Sequence, residues 1–187
     1  MRPQKVLDTQ VLEGLTQVFR TKGYEGASLQ DLSEATGLMK ASLYHRFPKG
    51  KQEMATAVLN DVAETAQETI FDTLLDKKLP AIKRFKKGID QIKAFYDNGK
   101  NVCLLRALSM QGGLELFQEQ INQGFNDWLD VFYKIGLDLG LEPKKSKDYA
   151  LLSLVEIQGS LVVSHGTNKT DIFEMTLKNI ENRYLKE

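Results

Sequence analysis

Four cations, Lys40, Arg46, Lys49 and Lys51, stand between Leu38 and Gln52 with no carboxylate among them. The chain as a whole balances 25 basic against 25 acidic side chains over 187 residues, so the excess is local. Local positive charge suits phosphate. Each lysine or arginine that displaces a counterion from duplex DNA adds sequence-independent affinity and steepens its salt dependence. The same run also fits a solvated basic face on an ordinary surface helix. Ala41, Ser42, Tyr44 and His45 lie among these charges and make the surface small, polar and basic.

The elements that must position this surface are legible on either side of it. Ser28 suits a helix N-cap, and Asp31 three residues on completes a capping-box-like pair. Leu29, Leu32 and Ala35 follow at helical spacing. Gly37 stands where a helix stop favours a left-handed residue, and Leu38 is an apolar plug for the corner. A second helix is predicted over 39–47, with Leu43 and Phe47 facing a core. Two short helices around a tight turn, the second carrying only positive charge, fit the major groove of DNA.

Residues Ser28 to Met54 resemble the DNA-binding signature of the TetR/AcrR family of bacterial one-component regulators. Members read Thr or Ser, a short apolar helix, Ala-Gly-Val, a small recognition helix, Leu-Tyr-x-His/Tyr-Phe, and Lys-Glu opening the fourth helix. Here those positions are Ser28, Thr36-Gly37-Leu38, Leu43-Tyr44-His45-Arg46-Phe47 and Lys51. Met39 stands where the family often has serine, Ala41 where it often has glycine, and Gln52 where glutamate commonly follows the lysine. The Pro48-Lys49-Gly50-Lys51 turn resembles the branch called LmrA/YxaF-like. Cys103, Phe125, Trp128, Glu156 and Gly159 fall where that branch's carboxy-terminal features are expected.

The resemblance implies an all-α fold. An N-terminal three-helix helix-turn-helix DNA-binding domain would occupy residues 1–50, and a C-terminal helical ligand-binding and dimerisation domain residues 51–187. Lys40, Ala41, Ser42 and His45 are expected at base edges. By the resemblance, Tyr44 and Lys51 clamp phosphates and Ser28 offers its hydroxyl or backbone N–H. The expected ligand pocket comprises Cys103, Phe117, Phe125, Trp128, Phe132 and Glu156, and would suit a small, largely apolar effector. The expected partners are double-stranded operator DNA and a second copy of the chain, joined through the last two helices. Repression is the family's usual mode.

Hydrophobic content of 42% and charged content of 27% describe a globular chain with a sizeable core. No run of eighteen apolar residues occurs, and Met1-Arg2-Pro3-Gln4-Lys5 carries no signal-peptide core, so a cytoplasmic protein is expected. Cys103 is the single cysteine, which excludes an intrachain disulfide and a cysteine-based zinc site. Its apolar surroundings, Val102, Leu104 and Leu105, fit a small buried hydrophobe better than a redox sensor.

Helical periodicity runs almost throughout. Val11, Leu15, Val18 and Phe19 form a first stripe that ends at Lys22-Gly23. From Lys51, a long helix carries Met54, Val58, Val62, Ala66 and Ile70. Pro80 opens another with Ile82, Phe85, Ile89, Ile92 and Phe95, broken at Asp97-Asn98-Gly99. A short segment from Asn101 to Met110 is interrupted at Gly112-Gly113. Phe117, Ile121, Phe125, Trp128, Phe132 and Leu139 mark an aromatic-rich helix ended by Gly140 to Pro143. The last two helices are predicted over about 147–165 and 171–185.

On a wheel of the penultimate helix, Leu151, Leu154, Val155, Ile157, Leu161 and Val162 cover one broad side, and Ser153, Glu156, Ser160 and Ser164 cluster on the other. A small-residue stripe permits close approach of a second helix and so suits a two-fold interface; a solvent-facing stripe is the alternative. Glu156 could be solvated, paired across the dimer, or directed at a ligand. An enzyme reading finds no support. Di-iron bundles need Glu-x-x-His motifs, yet His45 and His165 are preceded three residues earlier by Ser42 and Val162. His165, near a helix end, suits a dipole-stabilising or exposed role. No phosphate-cradling loop or nucleophile elbow appears, and nothing calls for a metal or cofactor. A DNA-binding protein on this fold that is ligand-independent and controlled by a protein partner remains the competing reading.

Overall fold

The computed structural model describes residues 8–110 and 112–185. The Met1 to Lys5 segment, on which the leader reading rests, lies outside them. Among the described residues all regular structure is helical, and no helix is long and apolar enough to cross a membrane. The order is α1 Asp8–Gly26, α2 Leu29–Thr36, α3 Lys40–Arg46 and α4 Lys51–Ala66. A π-helical turn, Gln67–Phe71, carries α4 into α5 Asp72–Leu75. Then follow α6 Ala81–Phe95, α7 Leu104–Leu108, α8 Gly112–Asp138, α9 Pro143–Thr167 and α10 Asp171–Leu185.

Two compact units divide the chain, residues 1–63 with 104–122 and residues 64–103 with 123–187. In the first, α1 to α3 enclose Val11, Leu15, Phe19, Leu32 and Leu43, with Met54 and Val58 of α4 buried as well. The stripes read from the sequence supply this core because residues three and four apart share a helix face. The first helix breaks where expected: Gly23 has φ +66° and ψ −173°, and helical turns resume to Gly26.

Aromatic packing dominates the second unit. Trp128 meets Phe71 edge-on at 5.1 Å between ring centroids and stacks on Phe132 at 6.1 Å. Tyr184 of α10 continues the cluster to Phe85 at 4.7 Å. Arg84, 3% exposed, donates to the Leu74 and Leu79 carbonyls and to Asp138, so its buried charge is paired and hydrogen-bonded. Ile82 departs from its predicted stripe and is exposed, because the buried face of α6 runs through Arg84, Phe85, Gly88, Ile89 and Ile92. Pro143 extends α9 four residues before its predicted start, as proline tolerates the first helical turn.

The faces of α9 depart from a simple inside-outside reading, because Leu154, Ile157 and Leu161 of the apolar side are buried together with the serines. Ser146, Ser153, Ser160 and Ser164 are buried, whereas Leu151, Leu152, Val155, Val162 and Val163 are exposed. The serine stripe does permit close approach, but to helices of the same subunit. A Cβ built on Gly136 of α8 would stand 2.2 Å from Ser146 Oγ, so the two backbones meet at a distance that larger residues forbid. Ser146 Oγ donates to the Tyr133 carbonyl at 2.7 Å, and Ser160 Oγ to Ile157 at 2.9 Å, which satisfies these hydroxyls inside the fold. Apolar residues cover more than half of the α9 circumference, and a wheel alone cannot say which part of such a surface is inside.

Candidate nucleic-acid interface

The corner that presents α3 is built as its sequence dictates. Ser28 Oγ accepts from the Asp31 N–H at 3.1 Å, and the Ser28 N–H donates to Asp31 Oδ2 at 3.0 Å, closing a capping box. Gly37 ends α2 at φ +65°, a left-handed conformation in which a side chain would be strained. Thr36 Oγ1 donates to the Leu32 carbonyl, and Ser33 Oγ to the Leu38 carbonyl, pinning the turn from both sides. Within α3 only Leu43 is buried, and Phe47 closes its end beneath the core.

Everything else on α3 faces outward. Lys40, Ala41, Tyr44 and His45 are exposed, and Ser42 and Arg46 are half-buried. Arg46 pairs with Asp8 at 3.0 Å, which diverts part of its charge inside the unit. Lys40 and Lys49 make no ion pair among the described residues, so both ammonium groups are available to a polyanion. Tyr44 lies over the turn before α4, 3.2 Å from where a Gly50 side chain would begin. Of the residues expected to touch DNA, Lys40, Ala41, Ser42, Tyr44 and His45 thus share one outward helix.

Ser28 and Lys51 stand differently. The Ser28 hydroxyl also donates to Asp31 Oδ2 at 2.8 Å, so the hydroxyl and N–H expected at phosphate are both engaged in the capping box. Lys22 completes this cluster, its ammonium 2.6 Å from Asp31 Oδ1. The Lys22 hydrogen bond, followed by those from Ser28, lowers the Asp31 pKa to about 2. Lys51 is half-buried; Nζ donates to the carbonyls of Tyr24 at 2.9 Å and Ala27 at 3.2 Å. The same ammonium sits 4.4 Å from the centre of the Tyr24 ring. Free carbonyls beyond the α1 break attract it, and it anchors the start of α4 rather than projecting freely. Tyr24 is the residue that the sequence reading missed here, although an aromatic directly after Lys22-Gly23 marked a turn with something to bury.

The expected ligand-pocket residues are divided between the two units. Phe117 belongs to the first unit, where its ring meets Tyr24 edge-on at 5.2 Å and its backbone leaves helical geometry at φ −123°. Trp128 and Phe132 are buried in the aromatic cluster of the second unit, Cys103 is buried, and Phe125 is half-buried. Glu156 accepts a hydrogen bond from Arg183 of α10, an ion pair within the subunit that is none of its three expected roles. Two open grooves, about 480 Å³ beside Asp72, Leu75, Asp76 and Lys87 and about 230 Å³ beside Arg20, Tyr24 and Arg106, are lined by none of the six.

A capped corner presenting a basic, acid-free helix on an all-helical body defines a helix-turn-helix DNA-binding regulator. Residues 11–58 match the family described as "Bacterial regulatory proteins, tetR family". The HTH-type transcriptional regulator LmrA of Bacillus subtilis is 27% identical over 82% of this chain and 84% of its own. The uncharacterized HTH-type regulator YxaF of the same organism is 22% identical over 85% of this chain and 84% of its own. Among solved structures, a TetR transcriptional regulator from Legionella pneumophila superposes with a TM-score of 0.80 at 18% identity, covering 96% of this chain and 98% of that one. The TetR-family regulator CifR, solved with a 26 bp double-strand operator DNA, superposes at 0.76 with 21% identity, covering 98% of each chain. The chain thus resembles TetR-family transcriptional regulators, through the family match over residues 11–58, through relatives such as LmrA and through its fold.

Proposed function

We propose that this protein is a homodimeric, cytoplasmic repressor that binds a roughly palindromic operator and leaves it when a small, largely apolar ligand binds residues 51–187. One observation carries the DNA half of this reading: Lys40, Ala41, Tyr44 and His45 are all exposed on one short helix anchored by Leu43. Lys40, Ala41, Ser42 and His45 meet base edges, and Tyr44 meets phosphate. Ser28 and Lys51 serve chiefly by fixing the ends of α2 and α1, which sets the angle at which α3 enters the groove. Residues 1–50 form the reading head.

The dimer half rests on α9. Leu151, Leu152, Val155, Val162 and Val163 are exposed there together with Gly159 and Gly166, beside which a Cβ would meet nothing. An apolar strip studded with glycine is what a second helix packs against. Release then requires only that the ligand bind the DNA-incompetent arrangement more tightly than the competent one. Footprinting of the region upstream of its own gene at two salt concentrations tests the proposal. Two protected half-sites about one helical turn apart, weakening steeply with salt, are expected; uniform, unphased protection overturns it.

Control by a protein partner without a ligand is the second reading. The close ring packing of Trp128 with Phe71 and Phe132 favours it, because those rings already occupy one another. A thermal-shift screen against hydrophobic compounds separates the two: saturable stabilisation supports the ligand-released repressor, and its absence across the screen supports the partner.

A further inference from the structure

We infer that Met39 reads thymine: its side chain packs against the C5-methyl group of one thymine in each operator half-site. The inference rests on the reading that α3 lies in the major groove, and adds a residue and a base to it. Met39 is 74% exposed, more than any other large apolar residue described. It is the N-cap of α3, with φ −64° and ψ 150°, and its side chain makes no capping hydrogen bond. Its carbonyl accepts from the N–H groups of Ser42 at 2.8 Å and Leu43 at 3.1 Å, so its backbone serves the helix while its side chain does not.

The neighbouring helix of the same motif shows what is forgone. Ser28 begins α2 with a complete capping box, whereas a methionine in the equivalent place leaves an amide of α3 without a side-chain acceptor and adds an unburied thioether. Serine, threonine, aspartate or asparagine would make the more stable helix. The Met39 side chain therefore contributes to the isolated fold neither as cap nor as core. A duplex groove offers such a side chain one good apolar partner. Phosphates and most base edges present polar atoms, and the thymine methyl is the apolar group of the major-groove code. Lys40 and Ala41 beside it are exposed as well, giving an apolar-basic-apolar tip, in which methionine is the longer of the two apolar side chains and matches the lysine stem in length.

The test uses the full-length dimer and duplexes that it selects from a randomised library. Half-site thymines are replaced one at a time by deoxyuridine, which deletes only the methyl group. At one position per half-site the wild-type protein should lose about fourfold in affinity, and about fifteenfold when both half-sites are changed. Met39→Ala should bind the thymine and uracil duplexes equally. Met39→Ser should do the same while melting at a higher temperature, because it restores a cap, and so a folding defect cannot produce the loss. Selected half-sites with no fixed thymine, or a uracil penalty unchanged in Met39→Ala, overturn the inference while leaving the operator reading intact. Failure to enrich any duplex overturns both.

Discussion

Helices α3 and α9 turn opposite chemistry outward. On α3 one leucine is buried and the outward surface is charged, hydroxylic and short; on α9 four serines are buried beside Leu154, Ile157 and Leu161, while Leu151, Leu152, Val155, Val162 and Val163 are exposed. Each helix shows solvent what its own fold does not need. A basic surface left free of acids has a polyanion as its natural partner, and an apolar strip has another protein surface. The contrast teaches that amphipathicity identifies a binding face only when the buried face is known independently.

The sharpest way to break the contrast is to place a charge on the outer face of α9. Val155 is 58% exposed, so Val155→Glu should leave the subunit folded while setting a carboxylate into the proposed seam. Analytical ultracentrifugation should show monomer, and operator affinity should fall by about a hundredfold or more, because the second half-site is no longer held at high effective concentration. A stable Val155→Glu dimer would show that α9 does not form the seam.

The inner face makes the complementary test. Ser153→Leu raises apolarity on the buried face, yet Ser153 is fully buried and leaves no room for a larger side chain. Overpacking should cost about 1–3 kcal/mol, read as a lowered Tm. Burial raises the Tyr184 pKa above its ordinary value of 10. Stability should therefore hold below pH 10 and fall as alkali ionises the unfolded chain first, and Tyr184→Phe should lessen that fall, Tyr24 keeping its own share.

Within the head, the lysines divide by what they already hold. Lys40→Ala should lower affinity for the operator, relax the preference at one base of each half-site, and leave Tm unchanged. Lys51→Ala should also lower Tm, by the few degrees that about 1–2 kcal/mol represents, because two backbone carbonyls lose a charged donor. Equal Tm values for the two variants would return Lys51 to a pure phosphate contact.

The head was legible in the sequence because its signals are local. Ser28 with Asp31, Gly37, and Leu43 with Phe47 each act through neighbours within four residues, and each lies where that logic puts it. The body was less so. Phe117 and Trp128 share a helical stripe on paper, but a bend at Phe117 and a change of unit within α8 give them different neighbours. Lys51 and Tyr24 are 27 positions apart, and no periodicity reports a contact of that span. Of the predicted stripe Ser153, Glu156, Ser160 and Ser164, the three serines are buried inside the subunit and Glu156 is half-buried; Ser146, which the stripe omitted, joins them against Gly136.

The smallest effect concerns the cluster behind the α2 cap. Asp31 titrates at about 2 rather than its ordinary 3.8, and the Lys22 hydrogen bond is the largest cause. Because the folded value lies below the unfolded one, the contribution is present above pH 3.8. It fades as pH falls and is gone below about 2. The side chains are solvated, so salt should weaken the Lys22 attraction. In a carboxyl-carbon NMR titration, Lys22→Ala should move the Asp31 midpoint part of the way back to 3.8, with the Ser28 bonds retaining the remainder. A midpoint unmoved by Lys22→Ala would assign the whole shift to the capping box. Lys22 would then act on Asp31 only as a solvated neighbour of the α2 cap.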